Sequence, residues 1–191
     1  MDVGANVGVY SMLLGRWTGA GGRVWAFEPA PVTRRLLREH LRMNRGVANV
    51  AAVAQAVSDE CGEADFYAHE FSGESSLNAA YAEKVQAADK STVPVTTIDE
   101  FCRVHNIAPT LIKVDIEGYE LHALRGAREV IARHRPAWII ETHPPQWTQI
   151  GVSSDEIAEF IASLPYALTP LEAQRDWRRE FGHILLEPLE P

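Results

Sequence analysis

Two short runs carry the residue types best suited to proton transfer or cation binding. Asp115 and Glu117 follow the apolar run Leu111-Ile-Lys-Val114, and Glu141 and His143 follow Trp138-Ile-Ile140. In an extended chain residues i and i+2 share a face, so each pair is expected to point one way. A carboxylate or an imidazole placed there can bind a cation or take a proton from a nucleophile. Imidazole, with a reference pKa of about 6.5, makes His143 the first choice of base. Glu141 could orient that ring, and Asp115 could serve binding as well as catalysis. The plainer alternatives are a surface histidine ending a strand before Pro144-Pro145, and Glu117 at a helix start near Gly118, where the dipole favours a carboxylate. The four donors are of types that divalent metals accept. Nothing in their spacing demands a metal, and none is expected.

A second chemical feature opens the chain, Asp2-Val-Gly-Ala-Asn-Val-Gly8. Glycines in a strand-to-helix turn let backbone approach a ligand, because they tolerate positive φ and carry no side chain. Gly4 and Gly8 stand as G-x-x-x-G, and Asn6 occupies a position where the dinucleotide fingerprint G-x-G-x-x-G needs glycine. A pyrophosphate ligand and a nicotinamide oxidoreductase are therefore disfavoured. Asp2 could face a cationic group such as an amino-acid ammonium. About 20 residues beyond such a turn, an acidic side chain at a strand end can accept both hydroxyls of a ribose, and Glu28-Pro29 stands there. Small and apolar residues at Ala56-Val57 could flank an adenine ring.

These residues need strands that end side by side. The chain alternates β-rich and amphipathic runs, which predicts one α/β domain over residues 1–191 with a mostly parallel sheet. The first strand is reduced to the residues before Gly4. A helix is expected over Val7–Trp17, a strand over Arg23–Phe27, and a helix from Pro31 whose apolar stripe is Val32, Leu36, Leu37 and Leu41. The arginines Arg34, Arg35, Arg38 and Arg42 read as its solvated side. A third strand is expected within Val47–Val57, a fourth at Leu111–Val114 and a fifth at Trp138–Ile140. Thr97-x-x-Glu100 and Ser153-x-x-Glu156 read as helix-capping boxes. Tyr166–Leu168 and His183–Leu186 read as a closing antiparallel pair, for about seven strands in all. Residues 63–92 form an irregular insertion with a short strand at Ala64–Tyr67, a candidate substrate loop in which Ser75 and Ser76 could touch an acceptor.

Composition narrows the partners. A net charge of −8 disfavours nucleic-acid backbone and anionic membranes. No apolar run approaches the roughly 18 residues of a membrane span. Cys61 and Cys102 lack metal or disulfide spacing, so a cytoplasmic location is expected.

The runs Asp2–Gly8, Ala26-Phe-Glu-Pro29, Val95-Thr-Thr-Ile-Asp99, Ile112-Lys-Val-Asp-Ile-Glu-Gly118 and Ile140-Glu-Thr-His-Pro144 together resemble the FkbM-type methyltransferases over nearly the whole chain. The resemblance implies a Rossmann-like class I fold and an S-adenosylmethionine-dependent enzyme. It also implies a methyl acceptor that is a hydroxyl on a sugar, polyketide or other small molecule. Asp2, Gly4, Asn6, Gly8, Glu28, Pro29, Ala56, Val57 and Asp115 then form the expected cofactor set. His143, Asp115, Glu117 and Glu141 form the expected catalytic set. The similar proteins carry an apolar strand before the position of Asp2. The rival reading is a catalytically impaired cofactor-binding or assembly protein on the same scaffold. The acceptor and the oligomeric state are left open by the sequence.

Overall fold

The structure, a computed structural model, describes residues 1–19, 21–47, 49–68, 77, 89–173 and 176–190. Its main sheet has seven strands: β1 (Asp2–Val3), β2 (Val24–Phe27), β3 (Val50–Val53), β7 (Leu111–Val114), β8 (Ala137–Thr142), β9 (Tyr166–Pro170) and β10 (Gly182–Pro188). Their spatial order is β3-β2-β1-β7-β8-β10-β9. The first five run parallel, and β10 is antiparallel to both neighbours. The expected sheet of five parallel strands with a closing hairpin is what the chain forms, with a two-residue first strand.

Register decides what meets at the top of this sheet. Val3 pairs with both Phe27 and Val114, and Val114 pairs with Ile140. Those four side chains are at most 2% exposed. They form an apolar row across four strands, as a sheet buried on both faces requires. The next residue on each strand is Gly4, Glu28, Asp115 and Glu141. One row of chemistry therefore sits directly on one row of core.

Among the described residues, seven α-helices flank the strands. They are α1 (Val9–Thr18), α2 (Pro31–Met43), α3 (Ile98–His105), α4 (Glu120–Arg125), α5 (Arg128–His134), α6 (Pro144–Gln149) and α7 (Ser154–Ala162), of which α3 and α7 carry the side-chain caps that the sequence predicts. Thr97 and Ser153 accept from the backbone N–H of Glu100 and Glu156, each at 3.0 Å. Neither box closes reciprocally, because Glu100 turns to Arg103 and Glu156 to Arg125. The main core packs α3, α4, α5 and α7 against β7 and β8, with Ile112, Leu121, Leu124 and Trp138 fully buried. Each such aliphatic side chain contributes about 1.5–3 kcal/mol.

Several expectations change. The apolar stripe of α2 shrinks to Leu37, which is fully buried, and the partly buried Leu41, while Val32 and Leu36 are 47% and 39% exposed. The helix meets the sheet at Ala26 of β2 and at Val50 and Ala52 of β3, and Leu37 also covers Gly8 in the turn before α1. Its arginine row is not wholly solvated, since Arg34 donates to the carbonyls of Glu28 and Pro29. The single strand expected within Val47–Val57 is two. β3 stays in the main sheet, and β4 (Ala56–Val57) leaves it to pair with β6 (Asp89–Thr96). With β5 (Gly62–Ala68), which pairs antiparallel to β6, these form a second sheet in the order β4-β6-β5. The expected irregular segment 63–92 thus begins and ends in strand, and its Ala64–Tyr67 strand lies inside β5. Ser75 and Ser76 lie outside the described residues. Pro144-Pro145 does not merely end β8; the two prolines open α6.

Candidate active site

The turn after β1 is held from both sides. Gly4 and Ala5 donate to the Phe27 carbonyl at 3.2 and 2.8 Å. A Cβ on Gly4, at φ +80°, would lie 1.7 Å from the Asp115 carbonyl oxygen. Its missing side chain therefore lets two strand ends touch. Gly8, at φ +94°, leaves room for a methyl of Leu37. Both glycines serve packing between elements, which holds the intervening Asn6 at the cavity wall. Asn6 itself takes a left-handed φ of 49°.

Glu28 receives this turn. It is 5% exposed, and its two carboxylate oxygens accept from the backbone N–H groups of Asn6 (3.0 Å) and Ala30 (2.8 Å). Burial pushes its carboxyl up to about 7, against those hydrogen bonds and Arg34.

Asp2 lies under the turn, fully buried, away from the cavity wall. One oxygen accepts from Ser11 at 2.5 Å and the other stands 3.8 Å from Lys113 Nζ, so the cationic group beside it is the chain's own. Lys113 is 3% exposed and also bonds Asp115 Oδ2 at 2.8 Å, with its ammonium over the Tyr10 ring. Burial pulls Lys113 down, yet Asp115 and Asp2 reverse this and hold it above its ordinary value. The sequence reading missed this residue. Its signal was a single charge inside the apolar run Leu111–Val114.

The other missed residue is Glu120, at the start of α4. Its Oε1 accepts from Gly118 N–H (3.1 Å), Ile116 N–H (3.3 Å) and His143 Nδ1 (2.9 Å), while Oε2 accepts from Trp147 Nε1 at 2.6 Å. The turn after β7 thus wraps its own carboxylate, an internal version of a backbone anion nest. Burial opposes the charge on Glu120, but His143 and Trp147 outweigh it and its pKa is lowered. The spacing Glu120–Leu124 placed it on the buried face of α4, which was the available signal. Within that turn Glu117 adopts φ 52° and Gly118 φ 110°. A non-glycine residue held there marks a conformation imposed by its surroundings.

His143, 2% exposed, turns its other nitrogen toward three carboxylates: Glu117 at 3.5 Å, Asp115 at 3.8 Å and Glu141 at 3.9 Å. Burial lowers its pKa, but the Glu120 hydrogen bond and the surrounding negative charge raise it to about 9. In this arrangement the ring is an imidazolium at neutral pH and accepts no proton. Glu117 is pushed up to about 7 by burial, and Asp115 is also raised by burial and by Glu141. Glu141 is lowered, chiefly by His183, which the β8–β10 register sets directly opposite it. The orienting partner of His143 is thus Glu120, where the sequence suggested Glu141.

A cavity of about 250 Å³ joins the two halves. Gly4, Asn6, Glu28, Pro29, Ala56 and Val57 wall one part, and Asp115, Glu117 and Glu141 the other. Asp2, Gly8 and His143 stand behind this wall. Thr33, Leu77 and Tyr119 join it without having been singled out, and Phe66 both lines it and packs the second sheet.

The strand order, the glycine turn after β1 and the acidic end of β2 define a class I methyltransferase fold. The chain belongs to the FkbM methyltransferase family: the Methyltransferase FkbM domain matches residues 2–168. It is 29% identical over 156 residues to methyltransferase sdnD of Sordaria araneosa, covering 68% of this chain and 60% of that protein. It is 26% identical over 179 residues to the hexuronic acid methyltransferase AglP of Haloferax volcanii, covering 92% and 67%. The crystal structure of methyltransferase FkbM from Methylobacillus flagellatus superposes with a TM-score of 0.63 at 21% identity, over 97% of this chain and 42% of that one. The chain thus spans only part of each of these proteins. Among the described residues no helix is long and apolar enough to cross a membrane.

Proposed function

We propose that residues 1–191 form one methyltransferase domain that binds S-adenosylmethionine and methylates a hydroxyl of a small molecule. The observation that carries this reading is the single cavity walled by Glu28 at one end and by Asp115, Glu117 and Glu141 at the other. The donor set fits the cofactor. Glu28 offers a carboxylate to a ribose diol, Ala56 and Val57 offer apolar contact to a base, and the acidic end suits a cationic amino acid. Asp2 and Gly8 act from behind, by holding the turn.

The cofactor supplies a methyl group on a positively charged sulfur. In the transfer an acceptor oxygen forms the new O–C bond, the S–C electron pair stays on sulfur, and the hydroxyl proton leaves. Asp115 and Glu117, whose pKa values are raised, are the proton acceptors we assign. His143 and Lys113 hold these carboxylates in place, and Glu141 shares the negative field. Holding the acceptor in line supplies much of the rate. A sugar-type acceptor is supported by the hexuronic acid methyltransferase among the relatives. The unpaired cysteines Cys61 and Cys102 support a cytoplasmic setting.

Calorimetry with S-adenosylhomocysteine tests the cofactor assignment: micromolar binding that Glu28→Ala abolishes is expected, and no binding by folded protein would overturn it. A screen of polyols and sugars with methyl-labelled cofactor tests the transfer. Cofactor binding with no turnover on any acceptor would favour the impaired-scaffold reading.

A further inference from the structure

Around His143 the donors are paired in a particular way. Nδ1 is taken by Glu120 at 2.9 Å, which fixes the ring. Nε2 faces Glu117 Oε2 at 3.5 Å and Asp115 Oδ1 at 3.8 Å, both longer than a normal N–H···O hydrogen bond, while Glu117 Oε2 also accepts from Gln146 Nε2 at 3.2 Å. Asp115 commits its other oxygen, Oδ2, to Lys113 at 2.8 Å. One oxygen of Asp115 is thus used by a cation of the chain, and Oδ1 stands beside His143 Nε2, with Glu141 a further hydrogen-bond partner of the same carboxyl. The three donor atoms lie within 4.8 Å of one another, and the imidazole aimed among them is 2% exposed. Donors spaced this way are too far apart to bond each other well. They suit a common central ion, since bonds of about 2.0–2.2 Å to one ion set neighbouring ligand atoms some 3 Å or more apart.

We propose that Asp115, Glu117 and His143 bind one divalent first-row transition ion such as Mn²⁺, through Asp115 Oδ1, a Glu117 carboxylate oxygen and His143 Nε2. The donor chemistry points to this class. Two carboxylates with one imidazole form a mixed oxygen and nitrogen set, whereas Mg²⁺ and Ca²⁺ favour oxygen alone. The outer partner is in place as well: ligating histidines almost always give their second ring N–H to a carboxylate or carbonyl, and Glu120 is that carboxylate, itself held by Trp147 and two backbone amides. On binding, the ring loses the proton on Nε2 to solvent and the ion takes its place. Three protein ligands leave positions open toward the cavity that Asp115 and Glu117 wall. There the ion would hold the acceptor oxygen and lower its pKa; in the ion-bound protein Asp115 and Glu117 act as ligands, and the hydroxyl proton leaves to solvent. That role rests on the methyltransferase reading; the site itself does not.

The test is titration of the metal-stripped protein with Mn²⁺ alone, read by calorimetry and by the loss of the free-ion electron paramagnetic resonance signal. The expected result is one Mn²⁺ per chain, with affinity at least ~10-fold weaker in Asp115→Asn and in Glu117→Gln. Glu129→Gln, on the exposed side of α5, is expected to bind like the parent. Circular dichroism of each variant confirms that it is folded, and the partly exposed Glu117 keeps the test open if Asp115→Asn is not. Folded parent protein with no saturable binding up to about 1 mM Mn²⁺ overturns the inference. Equal binding by folded Glu117→Gln also overturns it. The same samples are titrated with S-adenosylhomocysteine, so protein that takes that ligand but not Mn²⁺ separates failure of this site from failure of the methyltransferase reading.

Discussion

Glu120 and His143 form a buried ion pair, Oε1 to Nδ1 at 2.9 Å, with side chains 1% and 3% exposed. One residue opens α4 and the other directly follows β8 as the N-cap of α6, so the pair ties the turn after β7 to the end of the strand beside it. Every candidate catalytic group lies within reach of this tie.

Removing one partner of such a pair leaves a buried charge uncompensated, which costs about 3–5 kcal/mol. Glu120→Ala is therefore expected to destabilise the fold by about that amount. Urea denaturation measures it; a change below about 1 kcal/mol would show the pair to be idle.

Lys113 sits between Asp115 and Asp2 with 3% of its side chain exposed. Lys113→Met keeps most of the volume but strands two carboxylates. We expect a loss of about 3–5 kcal/mol in the same assay, more than a methionine costs at an ordinary apolar position.

Gly4 and Gly19 both have positive φ, yet their surroundings differ. A Cβ at Gly4 collides with the Asp115 carbonyl, whereas nothing lies within 4 Å of one at Gly19. Gly19→Ala should cost only the backbone strain of its φ 63°, ψ −169° conformation, about 1–3 kcal/mol. Gly4→Ala must also push β1 from β7 and should cost well over about 3 kcal/mol or prevent folding. Thermal melts of the two variants decide; similar melting temperatures would refute the close approach.

Glu28 gives a pH dependence. Its folded pKa of about 7 stands above the ordinary value of 4.5 because burial disfavours the charge. Its contribution to stability is present below pH 4.5 and is lost as pH rises through about 7. A diol donating to the carboxylate favours the ionised form, so affinity for S-adenosylhomocysteine should rise from pH 6 to pH 8. Calorimetry in buffers of different ionisation heat would detect the proton released near pH 6.5. The same release in Glu28→Gln would assign it elsewhere.

Much of the arrangement is legible in the residue order because it is local. The apolar runs at Leu111–Val114 and Trp138–Ile140 specify strands, Thr97 and Ser153 specify helix starts, and the acids placed just after each strand specify which end carries chemistry. The turn Asp2–Gly8 and the strand end at Glu28 specify the methyltransferase fold for the same reason. What one residue does with another 20 or 100 positions away is set by register and packing, which no local pattern encodes. The path of β4 into a second sheet followed from pairing with β6, not from its own composition. His143 read as a neutral base because imidazole alone titrates near neutrality. Folding surrounds it with Glu120, Glu117 and Asp115, and that field keeps its proton on. Asp2 read as a ligand contact, and only the β1–β7 register shows that Lys113 already fills that role. The sequence thus determined which side chains reach the carboxyl end of the sheet. Tertiary structure alone decided which of them face the cavity and which face each other, because distance and dielectric, not residue type, set the charge each one carries.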